Sequence, residues 1–346
     1  MFFTFKNVSI ESMAYILPPE CISSASIEDR LYRTYKRLGL LNGRLELMTG
    51  IKERRFWNGY KKPSEASAEA AAKLFASGSS CLKKNDLDLL IHSSVCRDRL
   101  EPATAAYVHN ILDLSEHTQF FDLSNACLGF LNAMLIIGGM IESGQIKCAL
   151  IVSGEDGKPV LDNTIEKLNS SNFSRNEIKP YFANLTLGSG AVAALLCHSS
   201  LSPKSPRIKY ANLLINSGAC KLCEGDVFDN SLTMQTEAEK LLNAGVALAL
   251  ANWKKFCKSS GWNDKIVDKF LCHQVSRRHM MKLYETLNLD PSKDFSTYQY
   301  LGNTGSVALP ITFALGLATG EVKSDSKCAL LGIGSGLSSI IIGIQL

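Results

Sequence analysis

The sequence lacks a long hydrophobic run, a block of charge of one sign and a second C-x-x-C motif. No apolar segment reaches the roughly 18 residues of a transmembrane helix, so we expect no membrane span. No basic run exceeds Lys52-Glu53-Arg54-Arg55, and the formal net charge is only +4, which argues against nucleic acid as a partner. A small basic excess still suits a phosphate-bearing ligand or an acidic carrier protein.

Eleven cysteines are scattered along the chain. Cys220 and Cys223 form a single C-x-x-C pair, a weak signal for zinc, and we expect no metal. Most other cysteines lie in apolar surroundings and are typical of small core residues. An odd number of cysteines and many buried thiols indicate a reducing compartment. Residues 1–6 lack the basic and then apolar pattern of a signal peptide, so we expect a cytoplasmic protein.

Strand-like and helix-like segments alternate, which is typical of an α/β protein, and 346 residues suffice for two domains. Strands are predicted at 88–95, 118–123, 147–153, 190–197, 268–273, 328–333 and 338–345. Helices are predicted at 66–82, 127–141, 237–258 and 305–319.

One pattern occurs twice in the chain. Lys147-Cys148-Ala149-Leu150 recurs 180 residues later as Lys327-Cys328-Ala329-Leu330, and the strand ending in His92 has a counterpart ending in His273. A nearly constant offset across separate segments indicates duplication of a folding unit. We therefore predict that the chain consists of two halves built on the same plan.

The predicted halves span residues 1–200 and 201–346. Their boundary falls in the turn-forming segment 199–206. The polar stretch at about 155–182 fits neither half and is predicted to form a cap or a dimer-side insertion. The first half carries Cys127, and the second carries His273 and Asn303.

Two predicted helices are unusually apolar. Within 127–141 only Asn132 is polar, and 305–319 is almost as apolar, with Pro310 near its start. A helix that is apolar on every side must be buried on every side. Two such helices predict a helical layer between two sheets and, with outer helices added, a five-layered α/β/α/β/α fold.

Cys127 lies at the predicted start of the first buried helix, directly after a strand. The N-terminus of a helix presents unpaired N–H groups with partial positive charge, which stabilise a thiolate and lower the cysteine pKa. We therefore predict that Cys127 is a nucleophile. An inert core cysteine is the alternative for a single residue considered alone.

Two polar residues lie next to the ends of predicted strands and helices in the second half. His273 follows a strand, where it can donate a hydrogen bond to an oxyanion or accept a proton, although a structural histidine is also possible there. Its counterpart His92 fits that structural role. Asn303 lies in a glycine turn, where it is either structural or a second oxyanion donor. A further turn, Gly332 to Gly336, offers backbone N–H groups to a thioester carbonyl and matches a dinucleotide-binding loop poorly.

Four ordered motifs resemble those of thiolase-superfamily condensing enzymes. They are Asn125-Ala126-Cys127-Leu128-Gly129-Phe130, His273-Gln274-Val275-Ser276, Gly302-Asn303-Thr304-Gly305 and Gly334-Ser335-Gly336-Leu337. Segments 49–55 and 188–191 resemble signatures of the ketoacyl-acyl-carrier-protein synthase III branch. The resemblance spans nearly the whole chain.

The resemblance implies a thiolase-like five-layered fold, a homodimer and a triad of Cys127, His273 and Asn303, with the Gly336 backbone in the oxyanion site. It implies no cofactor other than the CoA or phosphopantetheine of the substrates. Asn303 disfavours synthases that use two histidines. Gly332 stands where thiolases proper carry a second cysteine.

Within this branch, the sequence is most similar to the olefin-biosynthesis enzymes that condense two acyl chains head to head. Leu100-Glu101-Pro102-Ala103-Thr104 carries part of that similarity, and the resemblance implies that Glu101 acts across the dimer as a base. A base is required because condensation without decarboxylation needs removal of an α-proton. Glu101 could instead be a carboxylate that complements the dipole of the following helix.

Two features of the sequence concern substrate delivery. The branch holds CoA with a tryptophan and an arginine, and Arg44 and Met48 stand at those positions here. Arg278 matches a basic residue used for docking a carrier protein. The acyl donor is therefore either an acyl-CoA or an acyl carrier protein thioester.

The sequence thus predicts an acyltransferase that forms an acyl-Cys127 intermediate and then a β-keto product by Claisen condensation. The alternative enzyme is a decarboxylating synthase III that uses a malonyl or carrier-bound extender in fatty-acid or secondary-metabolite biosynthesis. A catalytically silent partner subunit is the alternative of another class, and an intact set of Cys127, His273 and Asn303 argues against it.

Overall fold

The structure, a computed structural model, describes residues 1–78, 82–228 and 231–346. The strands are β1 (Phe2–Thr4), β2 (Val8–Ile16), β3 (Glu20–Ser23), β4 (Glu53–Phe56), β5 (Leu89–His92), β6 (Gln119–Asp122), β7 (Cys148–Glu155), β8 (Gly190–His198), β9 (Arg207–Ile215), β10 (Cys223–Phe228), β11 (Ser231–Thr236), β12 (Lys269–Cys272), β13 (Lys327–Gly334) and β14 (Ser338–Gln345).

The α-helices are α1 (Ser24–Arg30), α2 (Tyr32–Leu38), α3 (Arg44–Thr49), α4 (Pro63–Ala76), α5 (Thr104–Ile111), α6 (Gly129–Glu142), α7 (Lys158–Ser170), α8 (Ala238–Ser260), α9 (Arg277–Leu287), α10 (Tyr298–Leu301) and α11 (Ala308–Thr319). Short 3-10 segments lie at Lys84–Asp86, Lys179–Thr186, Ser217–Leu222, Pro291–Lys293 and Gly305–Val307. No helix of the described ranges is long and apolar enough to cross a membrane.

Ten strands are connected in the order β12-β13-β14-β9-β2-β8-β7-β5-β6, with β1 paired to β9. A single bridge, between Ser9 and Arg207, joins β2 to β9. On either side of that bridge, β5-β7-β8-β2 and β12-β13-β14-β9 have the same order. In each set the first pair is parallel, and the following pair is antiparallel. This is the arrangement expected of a duplicated unit, whereas the division at residue 200 stays a prediction.

The largest hydrophobic cluster lies between the two sets of strands. Ile151 of β7 and Leu330 of β13 belong to this central cluster. Their neighbours Leu150 and Leu331 pack on the outer sides, the first with α4 and α5 and the second with α8 and α9. Successive side chains of a strand point to opposite faces, so each strand set is covered on both faces. The layers are therefore α/β/α/β/α, and the predicted fold is confirmed.

Helices α6 and α11 form the central layer, through residues such as Phe130 and Phe313. One part of the prediction was wrong: α6 is not buried on every side. Asn132, Ile136 and Gly139 follow one stripe of the helix, and Ile136 is 42% exposed. The chain itself leaves this stripe uncovered.

The seven predicted strands are all present. Predicted helix 66–82 corresponds to α4, which ends at Ala76, six residues before the predicted end; residues 79–81 of the prediction lie outside the described residues. The insertion at about 155–182 contains α7, which packs with α1 and α2 in a separate small cluster around Leu31 and Leu161. Sequence reasoning missed the hairpin of β10 and β11, because neither strand forms a continuous apolar run.

Candidate active site

Cys127 lies in a tight turn between β6 and α6. Ala126 has a φ of +44°, and the Leu128 N–H donates to the Asn125 carbonyl at 2.9 Å. The Asn125 side chain donates to the Asn132 carboxamide at 2.6 Å, which ties the turn to the helix. Since α6 begins at Gly129, Cys127 precedes the helix rather than opening it. The predicted position within the helix was therefore wrong by two residues.

The electrostatic environment of Cys127 also differs from the prediction. Burial above all, followed by Cys223 and Glu155, raises the pKa of its thiol to about 12, against the lowering effect of a backbone hydrogen bond. Removal of the thiolate from water outweighs the dipole of a helix that begins beyond the residue. The predicted lowering of the pKa was wrong, and the resting group is a neutral thiol.

The last glycine turn lies beside the Cys127 turn. A Cβ on Gly334 would lie 2.8 Å from Leu128 Cγ, and one on Gly332 would lie 2.7 Å from Leu128 Cδ2. Glycine therefore lets the end of β13 pass against the residue that follows Cys127. Gly336 has a φ of +109°, and reciprocal backbone hydrogen bonds join its neighbour Leu337 to Asn216.

His273 directly follows β12, the strand that pairs with β13. Its backbone N–H donates to the Leu331 carbonyl at 3.0 Å, and the residue is 5% exposed. Within the described ranges Nδ1 has no hydrogen-bond partner. Burial lowers the pKa of His273 to about 3, with a smaller contribution from His279. The imidazole is therefore neutral and able to accept a proton.

Asn303 is fixed by both its backbone and its side chain. Its backbone N–H donates to the Thr186 carbonyl at 2.9 Å, and its own carbonyl accepts from Gly188 at 3.0 Å. The side-chain Oδ1 accepts the Gly305 N–H at 3.1 Å. With its oxygen engaged locally, the carboxamide has its N–H₂ group left to donate to an oxyanion.

The structure explains why two signatures found by resemblance accompany this turn. A Cβ on Gly302 would lie 2.5 Å from the Thr186 carbonyl, and one on Gly188 would lie 2.3 Å from the Leu301 carbonyl. Both glycines also pack on Arg54, which is fully buried and donates to Ser24 Oγ and the Leu185 carbonyl. Segments 49–55 and 188–191 thus support the Asn303 turn.

Sequence reasoning missed Glu155. It ends β7 and accepts hydrogen bonds from Val95, Cys96 and Ser306, the last of which lies in the turn that follows Asn303. A charged residue at the end of a largely apolar strand was the available signal.

Glu101 lies in an exposed loop three residues before α5. The N–H groups of Thr104 and Ala105, at the start of that helix, donate at 2.7 Å to Asp122. Asp122 therefore complements the helix terminus, and the alternative role for Glu101 has no support. Since Asp122 ends β6, the Glu101 loop lies at the edge of the strand order.

Arg278 lies in the first turn of α9, with its side chain 66% exposed and Nη2 4.0 Å from Glu239 Oε1. Together with Met48 and Arg277 it lines a surface cavity of about 420 Å³. Glycine at position 50 is required there, because a Cβ would lie 2.7 Å from Arg277 Cβ. Arg44, the other position of the CoA clamp, is exposed on α3.

The remaining candidate residues are His92, Cys220 and Cys223. His92 is buried, its Nε2 lies 3.2 Å from Ser94 Oγ, and burial lowers its pKa to about 4. Cys220 is exposed, whereas Cys223 begins β10 and is partly buried. The described residues contain no cluster of three side chains able to hold a metal ion.

The family model of 3-oxoacyl-[acyl-carrier-protein (ACP)] synthase III matches residues 121–213, and the model of the C-terminal part of this enzyme matches residues 257–344. The first range contains Cys127, and the second contains His273 and Asn303. The matched ranges thus include all three members of the predicted triad.

Among curated proteins, the chain is 36% identical to an acyl-CoA:acyl-CoA alkyltransferase of Shewanella oneidensis, over 99% of each chain. It is 37% identical to one of Xanthomonas campestris pv. campestris, over 96% of this chain and 97% of the other. A beta-ketoacyl-[acyl-carrier-protein] synthase III of Aliarcobacter butzleri is 26% identical over 95% of each.

Among solved structures, variants of OleA from Xanthomonas campestris superpose with a TM-score of 0.94, at 35% identity and over 99% of each chain. A form of OleA with bound lauric acid and lauroyl-CoA superposes with a TM-score of 0.93, over 99% of this chain and 100% of the other.

Proposed function

The chain belongs to the 3-oxoacyl-[acyl-carrier-protein] synthase III family, and we propose that it joins two acyl-CoA thioesters head to head. The observation that carries this proposal is the identity of 36% and 37% to two acyl-CoA:acyl-CoA alkyltransferases along nearly the whole chain. The synthase III of Aliarcobacter butzleri is only 26% identical. The enzyme is accordingly an acyltransferase that makes a β-keto product.

The first step transfers an acyl group to Cys127. Sγ attacks the thioester carbonyl, its proton passes to the neutral imidazole of His273, and the C–S bond of the donor breaks. The imidazolium returns that proton to the departing sulfur, so CoA is released as its thiol. Backbone N–H groups at Cys127 and Gly336 would donate to the oxyanion of the tetrahedral intermediate. The raised pKa of the thiol and the lowered pKa of the imidazole support proton transfer during the attack rather than before it.

The second step forms the carbon–carbon bond. A base removes an α-proton from the second acyl thioester, and the enolate oxygen accepts hydrogen bonds from His273 and from the N–H₂ group of Asn303. The α-carbon attacks the acyl carbonyl, the acyl–Cys127 bond breaks, and the proton taken up by the base returns to Sγ. The product is a β-ketoacyl thioester. Engagement of Asn303 Oδ1 by Gly305 supports this role, because it leaves the donor end of the carboxamide free.

Glu101 of the partner subunit is the proposed base, which requires a homodimer. Three observations support that assembly. Strand β6 ends the strand order, its Phe120 is 41% exposed, and the stripe of α6 around Ile136 is uncovered. An edge strand with apolar neighbours favours pairing with a second copy. The Glu101 loop lies at this edge, so the proposed pairing would bring it close to the partner subunit.

The acyl carrier and the cellular location belong to the same proposal. Exposed Arg278 and Arg277 beside the 420 Å³ cavity suit the phosphates of CoA or of phosphopantetheine. No other cofactor is needed for either step. Ten free cysteines in the described ranges support a reducing, cytoplasmic setting.

Product analysis tests the proposal. Purified enzyme given a single acyl-CoA should release CoA and a β-keto product containing two acyl chains, without malonyl donors and without carbon dioxide. Dependence on a malonyl donor, with carbon dioxide released, would instead establish the decarboxylating synthase. Acyl transfer to the protein, read by intact mass, should disappear in Cys127→Ala, and its persistence there would refute the mechanism.

A further inference from the structure

Glu155 is a buried carboxylate at the centre of the molecule. It is the last residue of β7 and is 4% exposed. In the described part of the chain no basic side chain forms an ion pair with it. A buried charge without a counter-ion is retained only when hydrogen bonds replace its water.

Those hydrogen bonds come from two segments far apart in sequence. The backbone N–H groups of Val95 and Cys96, after β5, donate to Oε1 and Oε2 at 2.7 and 3.0 Å. Ser306 donates to Oε1 from its hydroxyl at 2.5 Å and from its backbone at 3.2 Å. Ser306 lies 151 residues away in sequence, so one carboxylate joins the two strand sets at the active site.

Ser306 is bound on its other side as well. Its hydroxyl lies 2.7 Å from Ser153 Oγ and 3.2 Å from the Ser93 carbonyl. Ser153 Oγ in turn lies 3.1 Å from Ser94 Oγ. This buried network restricts the position of Ser306, because moving Ser306 would separate buried polar groups from their partners.

The carboxylate also fixes the shape of the turn between Asn303 and Ser306. Gly305 has a φ of +62°, and a Cβ there would lie 3.2 Å from Glu155 Oε1. The Gly305 N–H is the donor that holds Asn303 Oδ1. The direction of the Asn303 carboxamide therefore depends on where Gly305 lies, and Gly305 lies against Glu155.

We propose that Glu155 is a positioning residue that aims the N–H₂ group of Asn303 at the enolate formed during condensation. The proposal rests on the function proposed above for Asn303. Glu155 touches no reacting atom. It acts on condensation through the turn from Asn303 to Ser306, and it also helps to raise the pKa of the Cys127 thiol. Its loss should therefore impair condensation and leave the transfer of the first acyl group intact.

A double-mutant cycle tests this with the full-length enzyme and an acyl-CoA substrate. Glu155→Gln keeps the size and removes the charge, and it should lower the condensation rate on the order of 10²-fold while acyl loading, read by intact mass, continues. Asn303→Ala should lower condensation by roughly 10²–10³-fold. The double variant should condense within about threefold of Asn303→Ala alone, because Glu155 has nothing left to position.

Glu28→Gln is the matched control, because Glu28 is also a buried carboxylate that accepts backbone N–H groups, from Gly43 and Leu45, but it has no bond to the Asn303 turn. Any loss of condensation rate that Glu28→Gln causes should be the same in the wild-type enzyme as in the Asn303→Ala variant. Ser306→Ala is the milder variant if Glu155→Gln does not fold. It should cost up to about tenfold in condensation, again only when Asn303 is present.

Two outcomes overturn the inference in distinguishable ways. If Glu155→Gln or Ser306→Ala loses equally in both backgrounds, or condenses at the wild-type rate, Glu155 is not a positioning residue although Asn303 keeps its role. If Asn303→Ala itself condenses normally, the role proposed for Asn303 fails and the positioning proposal fails with it.

Discussion

Alkylation of Cys127 by iodoacetamide should accelerate about tenfold per pH unit from about pH 6 to about pH 10, without reaching a plateau. Only the thiolate reacts, and burial raises the pKa of this thiol from 9.0 to about 12. Below pH 9 the thiolate fraction is then roughly a thousandfold smaller than that of a cysteine with the ordinary pKa. The free enzyme should therefore react slowly at neutral pH.

The assay follows alkylation of individual cysteines by peptide mass spectrometry. Cys220 is exposed on the same chain and serves as the internal reference for reagent concentration and pH. Cys127→Ala identifies the signal that belongs to the active site. Glu155→Gln should shift the Cys127 curve toward lower pH, because Glu155 is among the groups that raise the pKa of this thiol.

A plateau with a midpoint below about pH 8 would refute this reasoning, because it would mean that the thiolate is stable in the free enzyme. That result would restore the thiolate predicted from the sequence. A flat, slow rate at every pH would instead mean that the reagent cannot reach Sγ. Disulfide exchange with a smaller reagent then separates access from ionisation.

Three further predictions concern the dimer, the base and acid stability. Ile136→Asp should convert the dimer to a folded monomer, measured by light scattering, and should abolish condensation. Leu201→Asp, at an exposed apolar residue in the turn at 199–206, should do neither. An Ile136→Asp variant that stays dimeric and active would contradict the proposed interface. Glu101→Gln should load acyl groups but condense about 10²-fold more slowly, and mixing it with Cys127→Ala subunits should restore activity only if the base acts across the dimer. His92, His273 and His279 have folded pKa values of about 4, 3 and 4 against 6.5 unfolded, so the unfolded chain takes up more protons below pH 6.5. The free energy of unfolding should therefore fall with decreasing pH by up to about 4 kcal/mol per unit, and an unchanged denaturant midpoint at pH 5 and pH 7 would contradict this.

The layers could be predicted because they depend on local patterns. Strands β7 and β13 contain the continuous apolar runs 148–152 and 328–333, which require cover on both faces, and the repeat of their sequences indicated two similar halves. The same patterns could not show what covers a helix. An apolar α6 is consistent with burial by its own chain or by a second copy, and only the structure shows that Ile136 is left exposed.

The chemistry of the site was harder to predict, because it depends on residues brought together by the fold. Cys127, His273 and Asn303 each belong to a recognisable motif, whereas Glu155 belongs to none and acquires its place through Ser306, which is 151 residues away. The pKa of Cys127 likewise depends on groups that only the fold brings near it. A helix dipole can be anticipated from the sequence, but the degree of burial and the nearby Cys223 and Glu155 cannot.

The neutral pair of Cys127 and His273 fixes the order of events in the proposed acyl transfer. With pKa values of about 12 and about 3, moving a proton from the thiol to the imidazole in the free enzyme costs on the order of 10 kcal/mol. That cost is offset only if the S–C bond forms as the proton leaves, since the negative charge then lies on an oxyanion held by N–H donors instead of on the sulfur. The thiol is thus activated by the thioester that it attacks, and between turnovers it is protected from oxidants, which react with thiolates.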